Sequence, residues 1–205
     1  YKEYFGEEFG TTVLGFRGDE PDYAHTPWTP AMIDIFRERK GYDPTPYLAA
    51  FFSPVMTEEQ KRVKADYWDV WSQEFALHFF KQQADWCAEN GMAHITHLNN
   101  EHNMPVCVRA EGDFFRNLSQ VQIPGVDAIC NQIWPGTVND FRKLTLSVAH
   151  VYGKPWSFSD RFSAYHISPA HTQAMSPVEH QNVQMTYFSL LSILAADAKN
   201  RACST

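Results

Sequence analysis

With 205 residues, 44% of them hydrophobic and 20% charged, the chain can bury one sizeable core and is neither disordered nor membranous in composition. Its net charge of −7 comes without a basic stripe, which argues against nucleic acid, and no run approaches the roughly 18 apolar residues of a membrane span. Aromatic residues make up 15%, six Trp and nine Tyr among them, which suits stacking on sugar rings as well as filling a core.

The chain opens on Tyr1-Lys2-Glu3, without an initiating methionine or signal peptide, and reads as a trimmed or excised piece of a longer protein. A short apolar run, predicted as a strand over Thr12–Arg17, ends abruptly in Asp19, Glu20 and Pro21. Thr29-Pro30 predicts a helix start and Gly41 its end. Thr57 with Gln60 forms a capping-box pattern that opens a long helix. Its stripe of Val63, Tyr67, Val70, Trp71, Phe75 and Phe79 leads to a stop at Gly91. A second strand is expected over Ala93–Leu98, an N-cap at Asp113 and a third strand over Val126–Asn131. A helix from about Asn139 to Tyr152 and a strand over Trp156–Ser159 follow. Ser176-Pro177-Val178-Glu179 predicts a last helix through Tyr187, Leu190 and Leu194. Strands alternating with helical crossovers imply α/β architecture with a parallel sheet. Four such units make about half of an eight-stranded barrel, which takes ~250 residues. We therefore expect one partial (β/α)8 TIM-type barrel domain over residues 1–205.

Cys87, Cys107, Cys130 and Cys203 show no CxxC or metal-like spacing, so free buried thiols are the default. The polar residues carry more information. In a barrel the C-terminal strand ends form the active site. Here those ends carry Asp19 and Glu20, then His97, Asn99, Asn100 and Glu101, then Asn131 and Trp134, then Asp160 and Arg161. Trp28, Trp134 and Tyr165 lie in loops where a stacking platform would sit, whereas Trp68, Trp71 and Trp86 fall on the long helix and read as packing. Glycoside hydrolysis needs two carboxyl groups flanking the scissile bond, and Glu20 with Glu101 is the best pair. Asp160, beside Arg161, is a third candidate. His94, His97 and His102 invite a metal reading. A spacing of three along a strand turns His94 and His97 to opposite faces, which disfavours a three-histidine zinc site. His97 then fits a sugar-hydroxyl ligand or an orienter of a carboxylate.

Several segments together resemble the α-L-rhamnosidases of glycoside hydrolase family 106 and their relatives. They are Gly15-Phe16-Arg17-Gly18-Asp19-Glu20-Pro21, Pro27-Trp28-Thr29-Pro30, Arg39-Lys40-Gly41-Tyr42-Asp43 with Pro46-Tyr47-Leu48, and Asp85-Trp86-Cys87-Ala88-Glu89-Asn90-Gly91. The His97-Leu98…Glu101 stretch, Gly112-Asp113-Phe114-Phe115-Arg116 and Ile123-Pro124-Gly125-Val126-Asp127 complete the succession. No one segment is specific; their order over about residues 13–165 is. The resemblance implies a barrel catalytic module within a longer multidomain protein of a bacterial periplasm or exterior. It would act on plant or microbial oligo- or polysaccharide by inversion. Carried over, Glu20 is the general acid and Glu101 the general base. Asp19, Trp28, His97, Asn99, Asn100, Asn131, Trp134, Asp160, Arg161 and Tyr165 are the substrate-binding candidates. Calcium is the associated ion, with no ligands assigned. Two departures stand out. Ser159-Asp160-Arg161-Phe162 replaces an expected Ser-Glu-Thr-Phe, and the segment 195–201 lacks an expected final strand. The alternative reading is a carbohydrate-binding or structural barrel without catalysis. A metal-dependent hydrolase built on His97 ranks third.

Overall fold

The computed structural model describes residues 1–22, 27–127, 140–161 and 183–186, with 141, 160, 161 and 183–186 described as backbone only. Five strands form one sheet: β1 (Gly15–Gly18), β2 (Ala93–Thr96), β3 (Ile123–Asp127), β4 (Phe158–Arg161) and β5 (Val183–Thr186). They lie in sequential order, and every neighbouring pair is parallel. Parallel neighbours need long crossovers, and helices supply the first three. Between β1 and β2 run α2 (Met32–Lys40), a 3-10 segment (Thr45–Phe52), α3 (Glu58–Phe75), a π-helical turn (Ala76–Lys81) and α4 (Gln82–Glu89). Between β2 and β3 lie α5 (Met104–Glu111) and α6 (Phe114–Gln120), and α7 (Phe141–Val151) joins β3 to β4. A short α1 (Lys2–Phe5) precedes the sheet. Among the described residues no helix is long and apolar enough to cross a membrane.

The local chemistry explains the helix ends. The Thr57 hydroxyl accepts the Gln60 N–H while the Gln60 side chain accepts the Thr57 N–H, so two orphan donors of α3 are satisfied at once. Gly41 closes α2 at φ 79°, a left-handed cap that a side chain would resist. The Asp113 carboxylate accepts the Arg116 N–H and caps α6 as expected. Val63, Tyr67, Val70, Trp71 and Phe75 are buried on α3, and the last four join a core cluster with Met32 and Phe36 of α2 and Phe114 and Leu118 of α6. The expected single long helix is interrupted. Through the π turn the buried set resets to Ala76, Phe80, Ala84 and Cys87, which a strict 3.6-residue repeat from Phe75 would not produce. Trp71 is buried, and Trp86 packs at 5.8 Å on Phe16 of β1.

The four expected strands all differ from expectation in their bounds. β1 starts three residues late because Gly10–Val13 is folded into a turn on Glu8 and Phe9. β2 ends at Thr96, two residues early, and Leu98 instead gives its N–H to a side chain. β3 starts early, at Ile123, with Pro124 near its first pairing position, where a missing N–H is tolerated. β4 is shifted two residues toward the C-terminus. The predicted last helix is corrected outright over 183–186. There the chain is β5, paired with all four residues of β4. Val183-Gln184-Met185-Thr186 alternates with period two, and pairing along the β4 edge overrides the upstream capping signature. The rest of that predicted helix, with the segment 195–201, lies outside the described residues.

Candidate active site

Register brings the strand ends to one side of the sheet. Gly18 pairs with Thr96, Thr96 with Pro124, and Asp127 with Asp160. Asp19 and Glu20 follow β1 directly, His97 follows β2, and Asp127 ends β3. The parallel sheet thus does what the strand-end pattern required of it.

His97 is the centre of the group and is 1% exposed. Its Nε2 lies 2.8 Å from Asp19 Oδ1, and its Nδ1 lies 3.2 Å from the Leu98 carbonyl and 3.6 Å from Glu101 Oε1. Burial alone would push the imidazole down. The hydrogen bond to Asp19 and the carboxylates of Glu101 and Asp127 outweigh it and hold His97 up at about 10. Both ring nitrogens therefore donate. Arg17 Nη2, 3.0 Å from Nε2, finds no lone pair there. It is a second cation drawn to the Asp19 carboxylate, 3.8 Å away. The Arg17 guanidinium lies over the Phe158 ring at 5.8 Å, and the same ring meets His97 edge-on at 6.2 Å. Asp19 is held below the ordinary carboxylate range, first by the His97 hydrogen bond.

Glu20 behaves in the opposite way. Desolvation raises its carboxyl, and the neighbouring Asp19 and Glu101 charges add to the rise against the pull of His97. Glu101 is buried beneath the loop after β2, 1% exposed, and is not a solvated loop charge. Its Oε1 accepts the N–H of Leu98 at 2.9 Å and of Asp127 at 3.3 Å, tying that loop to the end of β3. Its Oε2 has no hydrogen-bond partner among the described residues.

The structure thus gathers Asp19, Glu20, His97 and Glu101. Asn99 and Asn100 lie on the same loop. The Asn99 N–H goes to Glu111 at 2.9 Å, and Asn100 takes the left-handed conformation at φ 61°. Trp28 is half exposed on the segment leading to α2, where the Tyr67 hydroxyl donates to the Pro27 carbonyl. Asp160 and Arg161 close β4, with only their backbone described. Asn131, Trp134 and Tyr165 lie outside the described residues. His94 shares none of this. It is buried, with neither ring nitrogen hydrogen-bonded among the described residues, and desolvation lowers it to about 4. Sequence reasoning missed Arg17, Asp127 and Glu111. Asp127 was hidden inside a strand expected to run on to Asn131. Glu111 carried a usable signal: with Met104 and Cys107 it continues the inward-facing stripe of α5, where a carboxyl is out of place.

Glu20, His97 and Asp127 each place a potential ligand atom within 4.8 Å of the others. Their spacing would admit a cation. Calcium takes roughly six to eight oxygen donors. This group offers two carboxylates and one imidazole. Among the described residues these three side chains by themselves supply fewer oxygens than a full calcium shell.

Residues 1–184 match the family model described as α-L-rhamnosidase, glycoside hydrolase family 106. The chain belongs to this family. A solved rhamnosidase from Novosphingobium sp. PP1Y shares its fold, with a TM-score of 0.62 and 23% sequence identity. That likeness covers 78% of this chain and 15% of the Novosphingobium chain, so the residues here span a small part of that protein's length. No curated protein matches the chain. Within the family match fall all the sequence-derived site candidates, from Asp19 to Tyr165.

Proposed function

We propose that this family 106 chain carries the catalytic centre of a glycoside hydrolase. Its substrate would be α-L-rhamnosides of plant or microbial oligo- or polysaccharide, and its sheet would be part of a (β/α)8 barrel. One observation carries the reading. Three successive parallel strands deliver Glu20, Glu101 and Asp127 around one buried imidazole, that of His97. In the inverting scheme Glu20 gives its proton to the glycosidic oxygen as the bond to the anomeric carbon breaks. Water attacks that carbon from the opposite face and loses its proton to Glu101. Desolvation of Glu20 supports the first role, since an acid catalyst must still hold its proton at working pH. His97 lies close to both carboxyls and holds Asp19 by a hydrogen bond.

Glu20→Gln removes the transferable proton but keeps the shape, so it should lower turnover by about 10²–10⁴-fold and leave sugar binding within a few-fold. Hydrolysis of a rhamnoside with a poor leaving group measures the first quantity and calorimetric titration the second. Near-wild-type turnover by this variant would remove Glu20 from the mechanism. Glu101→Gln and Asp127→Asn, assayed alongside, identify the base: the variant with the larger loss of turnover marks it.

A further inference from the structure

The loop that follows β2 is held by two carboxyl groups from different places in the chain. Leu98 gives its N–H to Glu101, and the next residue, Asn99, gives its N–H to Glu111 at 2.9 Å. Glu111 ends α5 and is fully buried. Its own carbonyl accepts the side-chain amide of Asn117 at 2.6 Å, and Asn117 is fully buried as well. The chain turns immediately after it. Gly112 has φ 84°, and a Cβ there would sit 2.6 Å from Ser72 Oγ of α3, which also accepts the Asp113 N–H. Glu111 is therefore anchored from behind by α3 and α6 while it reaches forward to the loop. We propose that Glu111 is a positioning residue, whose buried carboxyl accepts the Asn99 N–H and thereby fixes the loop that carries Glu101.

The proposal rests on the reading of Glu101 given above and extends it by a residue that touches no reacting atom. A buried carboxyl in such surroundings suits a neutral acid better than an anion. Burial raises Glu111 to about 9, against the smaller effect of the Asn99 hydrogen bond, and the neighbouring Glu101 charge adds to the rise. A neutral carboxyl still offers its carbonyl oxygen to Asn99. Glutamine offers the same oxygen in the same shape, while methionine fills the volume and offers no acceptor of comparable strength. The two substitutions therefore separate the hydrogen bond from the charge and from the packing.

The test compares wild type, Glu111→Gln and Glu111→Met. It reads the pH profiles of kcat and KM on an aryl α-L-rhamnoside and amide hydrogen exchange over residues 98–101. Glu111→Gln is expected within about twofold of wild type in every readout, with the same pH profile. Glu111→Met is expected to lose about 10–100-fold in kcat, with KM changed less than about threefold, and to speed exchange of the loop amides at least about tenfold. Wild-type kinetics and exchange in the methionine variant would overturn the proposal. So would a large kcat loss with an altered pH profile in the glutamine variant, because that would make Glu111 an ionised participant. Should the methionine variant fail to fold, Glu111→Leu, which likewise offers no acceptor, takes its place in every readout. If wild type hydrolyses no rhamnoside, the functional reading fails on its own, and loop exchange alone decides whether Glu111 holds the loop.

Discussion

Phe158 shows how a side chain outside the chemistry can govern it. The ring is fully buried, with the Arg17 guanidinium over its face and the His97 edge against it. It fits because its neighbour in β3 is Gly125, where a Cβ would stand 1.9 Å from the ring. Gly125→Ala should therefore push Phe158 off its position and cost about 1–3 kcal/mol through overpacking, at the upper end because the clash is with a rigid ring. A shift in the urea midpoint measures this. Adding Phe158→Leu should recover part of the loss; no recovery would locate the strain in the strand backbone instead. Asp19, Glu20, His97 and Glu101 were legible in the sequence because each falls at or just beyond an apolar run that ends in polar residues. Arg17 was not, because a single cation inside a strand shows its partner only after folding. Gly125 was not either, since its need is set by a ring 33 residues away in the chain.

At the level of elements, the clearest legible feature is the start of α3, where both halves of the capping box form as the spacing predicts. Thr57→Ala removes one of them. It should lower stability by about 1 kcal/mol with turnover unchanged, since Thr57 caps the start of α3, well before Tyr67 and Ser72, the α3 residues that reach toward the site. Thermal denaturation beside a rhamnoside assay checks both parts, and a loss of turnover without a loss of stability would contradict the second. Caps are readable because they are local: Thr57, Gly41 and Asp113 each act within four residues. The π turn at Ala76–Lys81 was not readable. It exists to bring Phe80, Ala84 and Cys87 inward after Phe75, a demand made by what lies beneath and not by the turn itself. The same distinction explains β5. Its alternation is visible in Val183-Gln184-Met185-Thr186, yet only the open edge of β4 decides that it pairs.

For the whole molecule, three buried groups with displaced titrations predict how stability depends on pH. His97 is held up to about 10 from 6.5, so its stabilising contribution is complete below 6.5 and is lost as pH rises toward 10. Glu111, raised to about 9 from 4.5, keeps its proton in the folded state while the unfolded chain releases it, so it too lowers stability as pH rises from 4.5 to 9. His94, lowered to about 4 from 6.5, works in the other direction: between those values the unfolded chain takes up a proton that the folded state refuses. From about pH 4.5 to 6.5 Glu111 and His94 oppose each other, and stability should be nearly flat. Above 6.5 His94 falls silent while His97 and Glu111 act together. Two protons then separate the states, and stability should fall by at most about 3 kcal/mol per pH unit. Below about pH 4 the Asp69 carboxylate adds a second decline. Burial would raise it, but Lys40, Arg116 and Gln73 outweigh that and hold it at about 2. Urea unfolding at half-unit steps from pH 5 to 8.5 tests this shape. Glu111→Gln should roughly halve the alkaline slope and tilt the plateau, because His94 then acts unopposed between 4.5 and 6.5. A decline of only about half this size between pH 7 and 8.5, which then vanishes in Glu111→Gln, would mean that His97 does not carry a second proton, and Nε2 would then be an acceptor for Arg17.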